Sequence, residues 1–403
     1  MNQSVAYVST YPPKQCGIAT FTRDLARAML ISDHGTKAII VGIQDEHRSP
    51  DANIRFTIDK HDRASYISAA ALLNDADVDV VCLQHEYGIF GGEWGEYILE
   101  LCRNLKKPMV TTFHTVLRNP PEKAREILTE IAQLSTTVVV TLDSAARLLD
   151  ELYEVTPEKI RIIRHGATLP DRVTKEHAKK KFGFQHRPLL ATFGLISQAK
   201  GIEYVIKSLT PLVIKHPDLL YLVIGETHPE VRKHEGEAYR EYLIKLTKQR
   251  KLERNVHFID RYLRDDELSS YLQAVDVYVA PYTGKDQVSS GTITEALAHG
   301  KAIIATPTTF AKEILADNRG LFCKFSDTRS LAKCIERILG NPRLRRQLER
   351  NAFNYGLRVS WTITAKKYAD VFRLAAAEGI AVQSQMSKLN HLFAIPDSGV
   401  RSE

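Results

Sequence analysis

No Gly-x-Gly-x-x-Gly run and no Gly-x-x-x-x-Gly-Lys-Ser/Thr run occurs in this chain. The first absence removes the usual support for a nicotinamide cofactor, the second that for a P-loop triphosphate site. No apolar stretch is long enough to span a bilayer. The first residues lack a basic segment followed by a long apolar one, so no signal peptide is expected. The five cysteines (Cys16, Cys82, Cys102, Cys323, Cys334) are scattered and show no metal-ligand spacing. Free thiols in a reducing, cytoplasmic setting are the expectation. The dense basic groups, Lys179-Lys180-Lys181 and Arg343, Arg345, Arg346, have no interleaved aromatics to stack on bases. They read as solvated helix faces, and a nucleic-acid partner is not expected. There is no solenoid period and no low-complexity tract.

What is present is material for two ordinary domains: 403 residues, 44% apolar and 26% charged. The net charge of +7 suits an anionic ligand or a peripheral membrane contact, and equally plain solubility. Short apolar runs alternate with amphipathic stretches. Strands are expected at 5–9, 37–41, 78–83, 108–112, 137–141 and 160–163, with helices at 20–32, 97–105, 124–134 and 144–152. The second half repeats the rhythm, with strands at 189–193, 219–224, 256–259, 275–280 and 302–306. Its helices are expected at 202–216, 237–250, 265–274, 292–299 and 329–339, then one long helix over about 342–377. Near-continuous apolar strands in such alternation imply parallel sheets covered on both faces. The polar stretch 168–187, bounded by prolines, reads as a linker. The domains expected are 1–175 and 185–358, then a crossover helix over 359–378 that packs back on the first domain, and a flexible tail over 379–403.

Four segments look chemical. Gly17 lies at a strand-to-helix turn, where free N–H groups favour an anion. Gly194 follows a strand, and Lys200-Gly201 opens the next helix, so an ammonium sits beside a helix dipole. The loop Ser289-Ser290-Gly291-Thr292 runs into a helix that carries Glu295 one turn on. A carboxylate so near an anion-receptive terminus suits two vicinal ribose hydroxyls, or merely complements the helix dipole. His114, and His85 with Glu86, each follow a parallel strand, where ligands bind in open α/β sheets. A glycine-rich loop carrying Trp94 follows His85.

At these segments the chain resembles the retaining GT-B glycosyltransferases of the large group-one family, over residues of about 3–377. The order and spacing of six pieces carry the resemblance: Gly17, His114, Arg164-His165-Gly166, Lys200-Gly201, the strand leading to Pro281, and the Glu295 helix. It implies an α/β, GT-B fold: two Rossmann-like domains with a donor cleft between them, the first binding acceptor and the second the donor nucleotide. By resemblance, Lys200 holds the donor diphosphate, Glu295 the ribose, and His114 the transferred sugar. Gly17, Gly194, Ser289, Ser290, Gly291 and Thr292 line the donor, and His85, Glu86 and Trp94 are acceptor-side candidates. Two positions depart from the family pattern. The first glutamate of its paired motif falls on Gln287, a position assigned to catalysis with His114, Lys200 and Glu295. An arginine is replaced by Leu195, so Arg261 or Arg164 is the candidate substitute cation.

The implied activity is transfer of a hexose, with retention, from a nucleoside-diphosphate sugar to a saccharide or other hydroxyl. GDP-mannose or UDP-glucose is the implied co-substrate. No metal and no further cofactor are implied. The competing readings are a phosphorylase or epimerase on the same fold and a nucleotide-sugar binder without turnover. The sequence does not speak to oligomeric state.

Overall fold

Strand after strand in the first half is buried along its length, as in Ser4–Ser9 and Val80–His85. Such strands need cover on both faces, and the intervening helices provide it. In the computed structural model, residues 3–32, 35–45, 53–171, 173–285 and 290–392 are described, 382–392 as backbone only. The first lobe runs β1 (Ser4–Ser9), α1 (Gly17–Ser32), β2 (Lys37–Gln44), β3 (Ile54–Asp59), α2 (Arg63–Asp75), β4 (Val80–His85), α3 (Ile98–Asn104), β5 (Met109–Phe113), α4 (Glu122–Leu134), β6 (Thr137–Val140), α5 (Asp143–Tyr153) and β7 (Ile160–Ile162). The second runs α6 (Lys175–Lys181), β8 (Leu189–Phe193), α7 (Ile202–Lys215), β9 (Leu220–Ile224), α8 (Pro229–Glu235), α9 (Ala238–Gln249), β10 (Val256–Ile259), α10 (Asp265–Ala274), β11 (Val277–Ala280), α11 (Gly291–Ala298), β12 (Ala302–Ala305), α12 (Thr309–Ile314), β13 (Gly320–Phe322), α13 (Thr328–Leu339) and α14 (Pro342–Arg358). Helix α15 (Trp361–Leu392) returns to the first lobe.

Both sheets are parallel. The seven-stranded sheet has the order β3-β2-β1-β4-β5-β6-β7 and the six-stranded sheet β10-β9-β8-β11-β12-β13. In each, the order reverses beside the first strand, between β1 and β4 and between β8 and β11. A crevice opens at the carboxyl ends of strands at such a point. The loops after β1, β8 and β11 therefore converge on it. They carry Gly17, Lys200 and Gly291.

Helix α15 packs Tyr368, Phe372 and Ala375 against Tyr7, Phe21, Leu25 and Met29 of the first lobe. Tyr368 Oη lies 2.9 Å from Thr112 Oγ1. The chain thus crosses between lobes twice, and the crossings touch. Ala167 N–H donates to Val359 O (2.9 Å) and Trp361 N–H to Ala167 O (3.0 Å).

The structure departs from the sequence reading in several places. β3 and α2 had no counterpart in it. The strand alternates in burial as an edge strand does, and α2 is alanine-rich with a weak apolar stripe, although Asp62 caps it by accepting from Ala64 N–H (3.0 Å). α8, α12 and β13 were also unread. The linker is not structureless, for it holds α6, capped by Thr174. The helix expected over 342–377 is two helices, broken at Val359 and Ser360 where the crossings pair. α15 runs on to Leu392, into the segment expected to be flexible. Among the described residues, no helix is long and apolar enough to cross a membrane.

Lys179, expected on a solvated face, turns inward. Its Nζ reaches Asp276 Oδ2 (2.6 Å), while Lys175 Nζ reaches Asp276 Oδ1 (3.1 Å) and Glu349 (2.8 Å). Asp276 also accepts from Leu189 N–H (2.9 Å). Burial would raise its pKa, but the two ammonium groups hold it below the ordinary value. This carboxylate ties α6 to the start of β11 and to α14. Asp276→Ala would take from Lys179 its carboxylate partner, leave Lys175 with Glu349 alone and cost about 3 kcal/mol, measured by urea unfolding. A loss under about 0.5 kcal/mol, the scale of an ordinary surface change, would refute the hub.

Candidate functional site

The crevice holds a cavity of about 400 Å³. Its first-lobe wall comprises the start of α1, His114, His165, Thr168 and Trp361. Its second-lobe wall comprises the loops after β8, β9, β10 and β11 with α10 and α11. Gly17, Gly194, Lys200, Arg261, Ser290, Gly291, Thr292, Glu295 and His114 all reach this wall. Gln287 and Ser289 lie outside the described residues.

Gly201 sets the direction of Lys200. Its φ of +62° is a left-handed conformation, and a Cβ there would lie 2.2 Å from Pro281 O. Only glycine suits that position. Lys200 Nζ sits 4.6 Å from the centre of the Tyr282 ring and 3.4 Å from its Oη. Tyr282 Oη lies 2.6 Å from Thr292 Oγ1 and 3.3 Å from Ser290 Oγ. Ser290 Oγ caps α11 by accepting from Ile293 N–H (3.3 Å). A chain of hydroxyls therefore links the lysine to the amino end of α11, where N–H groups point at the cavity. Tyr282 was absent from the sequence reading. A tyrosine two residues past a buried strand carries no local signal of its own.

Glu295 is one turn further into α11 and largely withdrawn from water, its side chain 20% exposed. Oε1 accepts from Thr168 N–H of the first lobe (3.1 Å). His299 Nδ1 is 3.9 Å from Oε2, but that nitrogen is engaged with Glu295 O at 2.8 Å. Burial pushes the carboxyl up to about 8. The Thr168 N–H opposes this, and Asp24 and Asp265 add to it.

His114 Nε2 lies 2.8 Å from Gln84 Oε1, while Gln84 Nε2 donates to Cys82 Sγ at 3.0 Å. The network makes Gln84 Oε1 an acceptor, so His114 carries its proton on Nε2 and keeps the Nδ1 lone pair free. Burial, with His165 and His85, pulls its pKa down to about 3, and the ring is neutral.

Other expected residues stand elsewhere. His85 is fully buried, stacked on Phe90 (5.8 Å) with Tyr87 and Phe113 edge-on, and is a core residue. Glu86 accepts from Thr115 Oγ1 (2.6 Å) and Tyr87 N–H (3.1 Å), off the cavity wall. Trp94 packs against Tyr87 on the outer side of the same loop. Neither candidate substitute cation is free. Arg261, on the wall, pairs with Glu267 through both of its terminal nitrogens. Arg164 is off it, bound to Thr141 O (2.8 Å), Asp143 (2.7 Å) and Glu313 (2.5 Å). Leu195 presents an apolar side chain to the wall. Among the described residues, no group of three or more His, Cys, Asp or Glu is arranged to hold a metal ion.

Comparison with known proteins bears on the family and the fold. The family described as Glycosyl transferases group 1 matches residues 174–355, and Glycosyltransferase Family 4 matches residues 16–169. A D-inositol 3-phosphate glycosyltransferase from Nocardioides sp. is 24% identical over 67% of this chain and 63% of its own length. A phosphatidyl-myo-inositol mannosyltransferase from Mycolicibacterium smegmatis is 25% identical over 46% of this chain and 44% of its own. The chain thus spans less than two thirds of either relative. Among solved structures, sucrose-phosphate synthase from Thermosynechococcus elongatus superposes with a TM-score of 0.76 at 18% identity, covering 93% of this chain and all of that one. A glycosyltransferase from Rickettsia africae gives 0.73 at 18% identity, over 93% and 99%. Two parallel sheets with helices on both faces, shared with these structures, make the fold GT-B.

The raised pKa of Glu295 has a thermodynamic consequence. Its folded-state value of about 8 exceeds the 4.5 of an unperturbed glutamate. The stability that protonation contributes is full below about pH 4.5 and is lost as pH rises through about 8. Glu295→Gln cannot ionise. Its melting temperature should therefore gain on that of the native chain between about pH 5 and about pH 9, measured by calorimetry. A constant difference across that range would refute the buried carboxyl.

Proposed function

The chain belongs to the group 1 glycosyltransferases, and from that premise we propose that it moves a hexose from a nucleoside-diphosphate sugar to a hydroxyl acceptor, retaining the anomeric configuration and using no metal. One observation carries the reading: Lys200, the amino end of α11 and Glu295 open on a single cavity between the lobes.

Leaving-group departure places negative charge on a diphosphate. A catalyst must stabilise that charge where it develops. In this reading Lys200 supplies a fixed ammonium, oriented by Gly201 and Tyr282. The N–H groups of Gly291 and Thr292 supply dipoles that need no reorganisation. Glu295 receives the ribose hydroxyls, and protein groups rather than water surround the reacting sugar. His114 offers its free Nδ1 to a hydroxyl of that sugar. GDP-mannose and UDP-glucose are the donors to assay. The relatives' names support including mannose, with inositol-containing acceptors beside saccharides.

Leu195 favours one second reading, a nucleotide-sugar binder without turnover, because the diphosphate has one cation fewer there. Binding of a donor without release of nucleoside diphosphate to any acceptor would decide for it.

The first test is a thermal-shift screen of nucleotides and their sugars, in which a true donor at 100 times its Kd stabilises by about 2.7 kcal/mol. Lys200→Ala should then lower kcat/KM by roughly 10²-fold, the scale of one preorganised charge-stabilising contact. Near-native activity in that variant would sink the assignment.

A further inference from the structure

His165 is one of four histidines on the cavity wall, with His114, His228 and His299, and lies on the segment that leaves the first lobe. Its Nδ1 lies 2.7 Å from Gly166 O. A carbonyl oxygen only accepts, so the proton is on Nδ1 and the lone pair on Nε2. Burial lowers the pKa, which the Gly166 contact only partly offsets, and the ring is neutral. Nε2 finds no hydrogen-bond partner among the described residues. It faces Gly291, where an added Cβ would sit 3.4 Å away. Gly291 thus keeps a gap between the imidazole and the amino end of α11.

The ring is held firmly. Phe21 meets it edge-on at 5.0 Å, and Trp361 lies 5.9 Å away. The same Phe21 meets His114 edge-on at 4.8 Å. Two neutral imidazoles therefore flank one phenyl ring, each with its protonated nitrogen engaged by protein and its lone pair unengaged. A purely structural His165 would need only its flat ring and the Nδ1 contact. An acceptor nitrogen left facing an anion-receptive helix mouth answers to something that donates.

We propose that His165 is a specificity-determining residue whose Nε2 accepts a hydrogen bond from a hydroxyl of the hexose seated at the amino end of α11. The inference rests on the crevice being a nucleotide-sugar site. The hydroxyl approaches Nε2 from beside Gly291, where no side chain intervenes. With His114 on the other side of Phe21, the sugar is read by two acceptors at once, and a sugar whose hydroxyl points elsewhere leaves Nε2 unpaired.

The test compares His165→Phe, which keeps a flat ring without the acceptor, with His165→Gln, whose carbonyl reaches near the Nε2 position. Calorimetry would give dissociation constants for GDP, GDP-mannose, UDP and UDP-glucose with each protein. His165→Phe should bind the favoured sugar nucleotide about tenfold more weakly, the scale of one hydrogen bond in a site closed to water. It should bind the matching nucleoside diphosphate as the native chain does. His165→Gln should recover to within about threefold of native affinity for the sugar nucleotide. The proposal is overturned if the phenylalanine variant keeps the native preference for sugar nucleotide over diphosphate, or if both ligands weaken equally. It is overturned as well if glutamine restores nothing. Native protein that binds none of the four would sink the nucleotide-sugar reading itself, which is a different result from native binding unchanged by substitution.

Discussion

The carboxylate of Glu313, carried on α12 of the second lobe, sits against the amino end of α5 in the first. It accepts from the N–H groups of Asp143 (2.6 Å) and Ser144 (3.2 Å), from Ser144 Oγ (3.0 Å) and from Arg164 (2.5 Å). Burial opposes its charge, yet the Asp143 N–H and Arg164 hold its pKa below the ordinary value. Charge-assisted bonds at a helix terminus are stronger than neutral ones. The other polar bridges are weaker. The Arg23–Asp265 pair is half in solvent, and exposed pairs of that kind contribute little. Thr20 and Tyr262 meet at 3.3 Å through hydroxyls alone. Glu313 thus makes the strongest group of polar bonds between the two lobes that face the cavity.

Inside that cavity the charges are few and uneven. Lys200 is the cation aimed at the mouth of α11, Glu295 is largely neutral below about pH 8, and His114 and His165 are neutral. Arg261, the other cation on the wall that could approach a phosphate, is neutralised by Glu267. An incoming dianion therefore meets one cation without a carboxylate partner among the described residues and one helix terminus, with Asp24, Glu226 and Asp265 on other parts of the wall. In a poorly solvated site these count for more than they would in water.

The parts of this arrangement that could be read from sequence were those with local causes. Buried parallel strands are apolar along their length, so β1, β5, β8 and β11 announce themselves. The run into α11 places Glu295 by helical register alone. β3 and α2 escaped because an edge strand and an alanine-rich helix lack a strong period. His85 and His114 look alike in sequence, each at the carboxyl end of a parallel strand. What separates them is the loop that brings Tyr87 and Phe90 onto His85 and leaves His114 open. Arg164 and Lys179 read as free cations because Glu313 and Asp276, their partners, are 149 and 97 residues away in the chain. His165 drew no role for a similar reason: its meaning depends on Gly291, on the opposite lobe.

The two interlobe crossings, bonded to one another at Ala167, behave as the pin of a pair of tongs. Parallel tethers fastened at one spot forbid the lobes from sliding past each other, and the freedom that remains is a swing about that spot. In a swing, displacement grows with lever arm. His165 and Thr168 flank Ala167 and ride on the pin, so Gly291 and Glu295, the groups they face, travel least as the jaws part. The corner of the crevice nearest the pivot is consequently assembled before any ligand arrives, and the outer rim is the part that closing must complete.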